Sequence, residues 1–195
     1  AVTLSKMAND LRLMSSGPRC GFGEINLPPK QNGSSIMPGK INPVIPEVVN
    51  QVAFNIIGND VTITMAAEAG QLELNAFEPV IIYCIFQSID TLAYAVNTFV
   101  ENCVKGITAN EERCRQLVEN SVGIVTALSP HIGYMKAAEL AKEALRNNVP
   151  IRQLVLDRRI LNKEELDEIL DVWGMTEPGI SGRELLMKKG KQADG

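Results

Sequence analysis

The chain has 195 residues, of which 45% are hydrophobic and 22% are charged, enough to bury a core in one large or two small domains. This composition excludes disordered and fibrous proteins. The net charge of -4 at pH 7 argues against a nucleic-acid-binding protein, because such proteins usually carry a basic surface excess. Aromatic residues make up only 5%, which favours an all-α fold over a β sandwich.

The cysteines and the single histidine do not form a recognisable metal site. Cys20, Cys84, Cys103 and Cys114 lack the close pairs of zinc sites and disulfide frameworks, which favours buried thiols in a reducing compartment. His131 has no sequence neighbours that would complete a metal site or a catalytic triad, so we predict a structural role for it. We expect no metal and no cofactor.

Hydropathy gives the expected location. No uninterrupted apolar run reaches the roughly 18 residues needed to span a bilayer, and the first 12 residues lack the pattern of a signal peptide. We therefore expect a cytoplasmic protein without membrane contact. The chain also starts without Met and directly in a helical pattern, which indicates a piece of a longer protein.

Three helices are predicted in the first half of the chain. The first covers the apolar stripe from Val2 to Leu11, and residues 15–39, rich in Gly, Pro, Asn and Ser, form a long connection of a kind that is often functional. A long helix follows over Val48 to Ile57, and another begins near Glu78 and continues through Val100. Both long helices are apolar over wide arcs, so we predict a bundle completed by upstream or partner-chain helices.

A domain boundary is predicted where Gly106 interrupts the third helix. We expect residues 1–105 to belong to the helical bundle and residues 106–195 to form a small helical domain. Within the second, Asn110 offers an N-cap to one helix, residues 136–146 form another and Pro150 opens a third. A further helix starts at residue 163, preceded by a capping-box pattern at residues 162 and 165.

Residues 33–43, Gly-Ser-Ser-Ile-Met-Pro-Gly-Lys-Ile-Asn-Pro, have the properties of an anion-binding loop. Gly33 and Gly39 allow peptide N–H groups to approach a ligand. Lys40 supplies a positive charge and Asn42 a directional amide, and the N-terminus of the following helix adds about half a positive charge. The combination favours a carboxylate or a phosphate.

The same residues allow other interpretations of this loop. A nucleotide phosphate loop requires four residues between its glycines and Ser or Thr after the lysine, but five residues separate Gly33 from Gly39 here. Ser34 and Ser35 could instead stabilise a turn, and Asn42 could be an ordinary helix cap. Glu47 could simply be an acidic residue in the first turn of a helix, where the helix dipole favours a negative charge.

The loop nevertheless resembles the signature of the aspartase/fumarase superfamily of lyases over residues 33–43, with Glu47 beyond it. Residues 16–19 and 23–25 resemble the same family, and the resemblance continues through essentially the whole chain. Residues 46–52 and 65–72 are most similar to the aspartate ammonia-lyase branch. Residues 126–128 and 131–134 are more similar to the fumarases.

The resemblance implies part of a central five-helix bundle that builds a multi-subunit core in a homotetramer, followed by a small helical C-terminal domain. It also implies reversible elimination of ammonia from a small dicarboxylate, L-aspartate, to give fumarate through an aci-carboxylate intermediate. Ser34 would be the proton-abstracting base, and Ser35, Lys40, Ile41 and Asn42 would contact the substrate. Glu47 would support a histidine from a partner subunit.

Two alternatives stay open at this point. The first is fumarate hydratase, which differs in its leaving group. The second is a non-catalytic helical module that oligomerises and binds anions. Because the family builds each active site from three sequence regions on three subunits, and this chain resembles only the last, we expect the isolated chain to have little or no activity.

Overall fold

The computed structural model describes residues 1–31, 37 and 39–187. It is 69% helix and 3% strand, which confirms the predicted all-α class. The chain divides into two compact units, the first covering Ala1–Glu111 and the second beginning at Glu112. The domain boundary placed at Lys105/Gly106 stays a prediction.

The first unit contains the three predicted helices, α1 (Val2–Met14), α2 (Val44–Glu68) and α3 (Glu78–Asn102). Helix α2 packs against both α1 and α3. α3 begins with Glu78 and a proline in its first turn, where the missing N–H of proline has no intrahelical partner to lose. Close packing of the helices buries a small apolar cluster, made of Ala8, Val49, Phe99 and Cys103.

Polar contacts inside this unit explain where the apolar pattern is interrupted. The Asn59 amide on α2 donates to Gln87 Oε1 at 3.3 Å and to Ser88 Oγ at 3.0 Å on α3. Partly buried polar groups are tolerated there because they are hydrogen-bonded to each other. Helix α2 continues beyond these contacts to Glu68, through residues 60–68, where the apolar periodicity is weak.

Wide apolar faces of α2 and α3 remain exposed within the chain. Phe54 is 60% exposed and Phe86 63% exposed. Contiguous apolar surface of this kind is rare on monomers and usually marks an interaction surface. The predicted wide apolar arcs are therefore present. Other large exposed apolar residues on the two helices are Ile57, Val61, Met65, Ile82, Tyr83, Ile85 and Ile89.

Helix α3 corrects the expectation, drawn from hydropathy, that no segment is long and apolar enough to span a bilayer. The segment Glu78–Gly106 is long and apolar enough, by length and composition, to cross a membrane, with 11% of its apolar window buried. Its apolar sequence is not continuous, because Gln87, Ser88 and Asp90 interrupt it. A single helix of this kind is weak evidence for a membrane span. The hydrogen bonds from Asn59 to two of these polar residues are those of a helix packed against protein.

A short strand pair not foreseen from the sequence joins the loop after α1 to the end of the unit. β1 (Ile25–Asn26) pairs antiparallel with β2 (Thr108–Ala109), with Ile25 opposite Ala109. Between α3 and β2, a 3₁₀ turn covers Val104–Gly106. A Cβ atom at Gly106 would lie 2.5 Å from Pro28 Cγ, so the close approach of these segments requires glycine.

The second unit is a cluster of short helices. They are α4 (Glu111–Glu119), α5 (Val125–Ile132), α6 (Tyr134–Asn147), α7 (Ile151–Asp157), α8 (Lys163–Ile169) and α9 (Val172–Thr176). The predicted helices at residues 111–119, 136–146, after residue 150 and from 163 are thereby confirmed. Helices α5 to α8 enclose one apolar core, whose fully buried members include Leu128, Leu140, Ile151, Leu166 and Ile169.

Two local predictions in the second unit are supported by hydrogen bonds. The backbone N–H of Glu165 donates to Asn162 Oδ1 at 2.8 Å, and that of Asn162 donates to Glu165 Oε2 at 3.1 Å, which completes the predicted capping box. His131 Nε2 lies 2.8 Å from the carbonyl oxygen of Ser181. This contact with the backbone supports a structural role for the histidine.

The four thiols differ in their surroundings. Cys84 and Cys103 are buried, and burial raises the pKa of the Cys103 thiol. Cys114 is partly buried, but Cys20 is exposed, so the expectation of buried thiols is wrong for Cys20. Cys20 lies in the glycine-rich connection after α1.

Candidate functional site

A cavity of about 500 Å³ lies in the first unit, beside the first turn of α2. It is enclosed by the end of α1, the connection that follows it, the segment just before α2, and a side chain beyond β2. The residues of its wall that bear most directly on chemistry are Arg12, Asn26, Lys40, Ile41, Asn42, Glu47 and Asn110.

The connection after α1 is folded tightly around Ser16. The Ser16 carbonyl accepts from the N–H of Gly23 at 2.8 Å, and its Oγ accepts from the N–H of Phe22 at 3.1 Å. A Cβ atom at Gly21 would lie 2.4 Å from the Ser16 carbonyl, so this turn closes only with glycine. The glycines of this segment therefore shape one wall of the cavity.

Asn110, near the end of the first unit, forms hydrogen bonds with this wall. Its amide nitrogen donates to the Gly23 carbonyl at 2.7 Å, and its Oδ1 accepts from Asn26 Nδ2 at 2.6 Å. The Asn110 backbone N–H also donates to the Glu24 carbonyl, at 2.8 Å. These three bonds extend the β1–β2 pairing and hold the wall in place.

The opposite wall is the segment that leads into α2. Gly39 has a φ of +80°, in the left-handed region that favours glycine, and the N–H of Lys40 donates to the Met37 carbonyl at 3.1 Å. The N-cap of α2 is Pro43, so Asn42 lies one residue ahead of the cap position. Asn42 therefore does not occupy the ordinary cap position, and it lines the cavity instead.

Three charged side chains among the described residues line the cavity: Arg12, Lys40 and Glu47. Arg12 Nη2 lies 3.8 Å from Glu47 Oε1, and each of these two side chains is about two-fifths exposed. Glu47 is in the first turn of α2, where the helix dipole favours a negative charge. Because Arg12 faces Glu47, Lys40 supplies the remaining positive charge of the described wall, and this charge suits an anionic ligand.

The structure brings four of the predicted site residues to this one cavity: Lys40, Ile41, Asn42 and Glu47. Ser34 and Ser35 lie outside the described residues. Arg12 was not among the predicted site residues, because an isolated arginine on an amphipathic helix carries no local signal. Its place at the cavity depends on the packing of α1 against α2, which brings together residues distant in sequence.

Comparison with known families agrees with this architecture. Residues 1–58 match a family model described as "Lyase", and residues 124–177 match one described as "Fumarase C C-terminus". The first match includes the whole segment that surrounds the cavity up to α2. The two matches, which include the segment before α2 and helices α5 to α9, assign the chain to a lyase family.

Similar sequences include aspartate ammonia-lyases. The chain is 57% identical over 182 residues to that of a Bacillus species, covering 93% of this chain and 39% of the relative. It is 60% identical over 178 residues to that of Helicobacter pylori strain 26695, covering 91% of this chain and 38% of the relative. The chain belongs to the aspartase/fumarase superfamily, and it spans well under half the length of these relatives.

Solved structures give the same result. A fumarate lyase:delta crystallin from Brucella melitensis bound to cobalt matches with a TM-score of 0.86 and 55% identity, over 91% of this chain and 38% of that one. A class II fumarase from Schistosoma mansoni matches with a TM-score of 0.78 and 38% identity, over 87% of this chain and 35% of that one. The sequence is therefore more similar to the aspartate ammonia-lyases quoted above than to this fumarase.

The charge of Lys40 gives the first prediction. In the complete protein, Lys40→Met should weaken the binding of succinate, an unreactive dicarboxylate, by about 10-fold to 100-fold, because a hydrogen bond to a charged group contributes about 1.5–3 kcal/mol. Isothermal titration calorimetry measures this change. Lys30→Met is the matched control, since Lys30 is exposed and does not line the cavity. Equal affinities of the two variants would contradict the role of Lys40.

Proposed function

We propose that the complete protein containing this chain is a carbon–nitrogen lyase that reversibly deaminates L-aspartate to fumarate and ammonia. The observation that carries the proposal is the cavity lined by Lys40 and Asn42, in a chain 57% to 60% identical to aspartate ammonia-lyases. The positive charge that Lys40 supplies to its wall suits the carboxylates of aspartate and fumarate.

The chemistry follows from the charges involved. Removal of a proton from the carbon beside one carboxylate leaves a dianionic aci-carboxylate, and departure of ammonia from the neighbouring carbon then forms the double bond of fumarate. The extra negative charge appears on carboxylate oxygens. Lys40 and Asn42 would stabilise it as preorganised donors whose positions are set before the reaction. Ile41 would contact the substrate between them.

Ser34 is the base in this proposal, and Ser35 a further substrate contact, both on the strength of the family resemblance. A serine hydroxyl must be ionised to abstract a proton, and each unit of pKa lowering requires about 1.4 kcal/mol of differential interaction. The loop before α2 would provide this through its peptide N–H groups and Lys40. Ser34 would take the proton from the substrate carbon and later return it to solvent.

The proposal extends to an assembly in the cytoplasm. In it, Glu47 supports a histidine contributed by another subunit of a homotetramer, and the exposed apolar faces of α2 and α3 become buried between subunits. Two further active-site regions come from sequence outside the 195 residues. The isolated chain should consequently be inactive, and full turnover of aspartate or fumarate by this chain alone would contradict the assembly model.

Replacement of the proposed base gives the second prediction. In the complete protein, Ser34→Ala should abolish turnover, followed as the ultraviolet absorbance of the fumarate double bond, because no group would remain to accept the proton. Folding should be nearly unaffected, since serine and alanine differ by one hydroxyl. A circular dichroism melt provides the control for folding. Unaltered turnover in a folded variant would remove Ser34 from the mechanism.

Fumarate hydratase is the second candidate, favoured by the match of residues 124–177 to the fumarase C-terminal model. The third prediction separates the two. Given fumarate, the complete protein should consume it rapidly when ammonia is supplied, and should form little malate in water alone. Malate formation without any effect of ammonia would identify a hydratase. Binding of succinate with neither reaction would identify the non-catalytic module.

A further inference from the structure

Arg12 is held from two sides in the last turn of α1. Its Nη1 donates to Asn9 Oδ1 at 3.3 Å and to Asn50 Oδ1 at 3.5 Å. Its Nη2, the other arm of the guanidinium fork, lies 3.8 Å from Glu47 Oε1. Neutral amide oxygens thus accept two long hydrogen bonds from one nitrogen of the planar group, while the other nitrogen faces the carboxylate.

The orientation of Asn50 has its own cause. Asn50 is only 3% exposed, and its Nδ2 donates to both the carbonyl oxygen and Oγ of Ser5, at 3.1 Å and 2.9 Å. A rotation of this amide would leave a buried donor unpaired, which is strongly disfavoured. Asn50 Oδ1 is therefore held toward Arg12. The contacts form a continuous series from Ser5 through Asn50 and Arg12 to Glu47.

The contact between Arg12 and Glu47, at the end of this series, lies at the cavity and adds little to the free energy of unfolding. The side chains of Arg12 and Glu47 are 41% and 38% exposed, and ion pairs this accessible to solvent contribute little to stability. Arg12 nevertheless lines the same cavity as Lys40 and Glu47. Its Nη2 is 3.8 Å from Oε1 of Glu47, the one carboxylate among the described residues of the wall.

We propose that Arg12 is a positioning residue, which holds the Glu47 carboxylate in the orientation needed for turnover and does not itself bind the substrate. The inference rests on the proposed function, in which Glu47 supports a histidine from a partner subunit. Arg12 acts through Glu47, so its removal should change the rate of the reaction more than the affinity for substrate.

The test is a double-mutant cycle in the complete protein with aspartate as substrate. Arg12→Ala should lower kcat by up to about 100-fold, as misplacement of a supporting group by about 1 Å can do. KM should change by less than about threefold, because ground-state binding is retained. In a Glu47→Gln background, Arg12→Ala should cause little further loss, since both changes remove the same function. Arg12→Lys should restore part of kcat by returning the charge without the fork.

Lys6→Ala is the matched control, because Lys6 is a cation on the same helix whose partner is Asp10, away from the cavity. Its kcat should equal that of the unchanged protein. Two results would overturn the inference: additive losses in the cycle, or a rise in KM with kcat unchanged, which would indicate direct substrate binding. If Arg12→Ala fails to assemble, as judged by size-exclusion chromatography, Arg12→Gln replaces it in the same cycle.

A crystal structure of the Arg12→Ala variant tests whether Arg12 positions the Glu47 carboxylate, and it does not require a turnover assay. The Glu47 carboxylate should leave its position at the cavity while the bonds between Asn50 and Ser5 persist. An unmoved Glu47 carboxylate would overturn the inference. Absence of turnover by the unmutated protein would count against the proposed function alone, because the crystallographic result stands independently of the reaction.

Discussion

The buried amide of Asn50 is the interaction on which the cavity depends. It joins α2 to α1 through Ser5 at a point where the surrounding residues, including Ala8 and Val49, are almost completely buried. A buried amide that lost these partners would carry an unpaired donor, so the two helices are held at one relative position. This position places the end of α1 opposite the start of α2. The two walls that carry Arg12 and Glu47 then face each other.

The second constraint is that the first unit buries only a small part of its own apolar surface. Helices α2 and α3 bury only a few side chains, such as Cys84 and Ala95, and expose large ones along most of their length. The second unit differs, because its short helices enclose a core of their own around Leu128, Leu140 and Leu166. In the proposed assembly, the long helices supply subunit contacts while the loop before α2 supplies catalytic groups. Stability and chemistry then occupy neighbouring parts of one unit.

Much of the fold was predictable from the sequence because its signals are local. Helical periodicity located α1, α2 and α3, and the pairing of Asn162 with Glu165 located the start of α8. The short β1–β2 pair was missed because two-residue strands carry no alternation pattern. The exposure of Cys20 was missed for a related reason, since burial depends on neighbours that are distant in sequence.

The candidate site was predictable to the same extent. Lys40, Ile41, Asn42 and Glu47 follow each other closely, so a motif could group them, and the structure places all four at one cavity. Arg12 could not be found in this way, because only the packing of α1 on α2 brings it within 3.8 Å of Glu47. The roles of Ser34 and Ser35 rest on the family resemblance.

In the proposed function, the segment before α2 binds a dicarboxylate through Lys40 and Asn42. A crystal structure of the complete protein with fumarate bound would test this binding mode. We expect one fumarate carboxylate within about 3 Å of both Lys40 Nζ and the Asn42 amide. Fumarate bound elsewhere, with these two groups pointing away from each other, would contradict this binding mode.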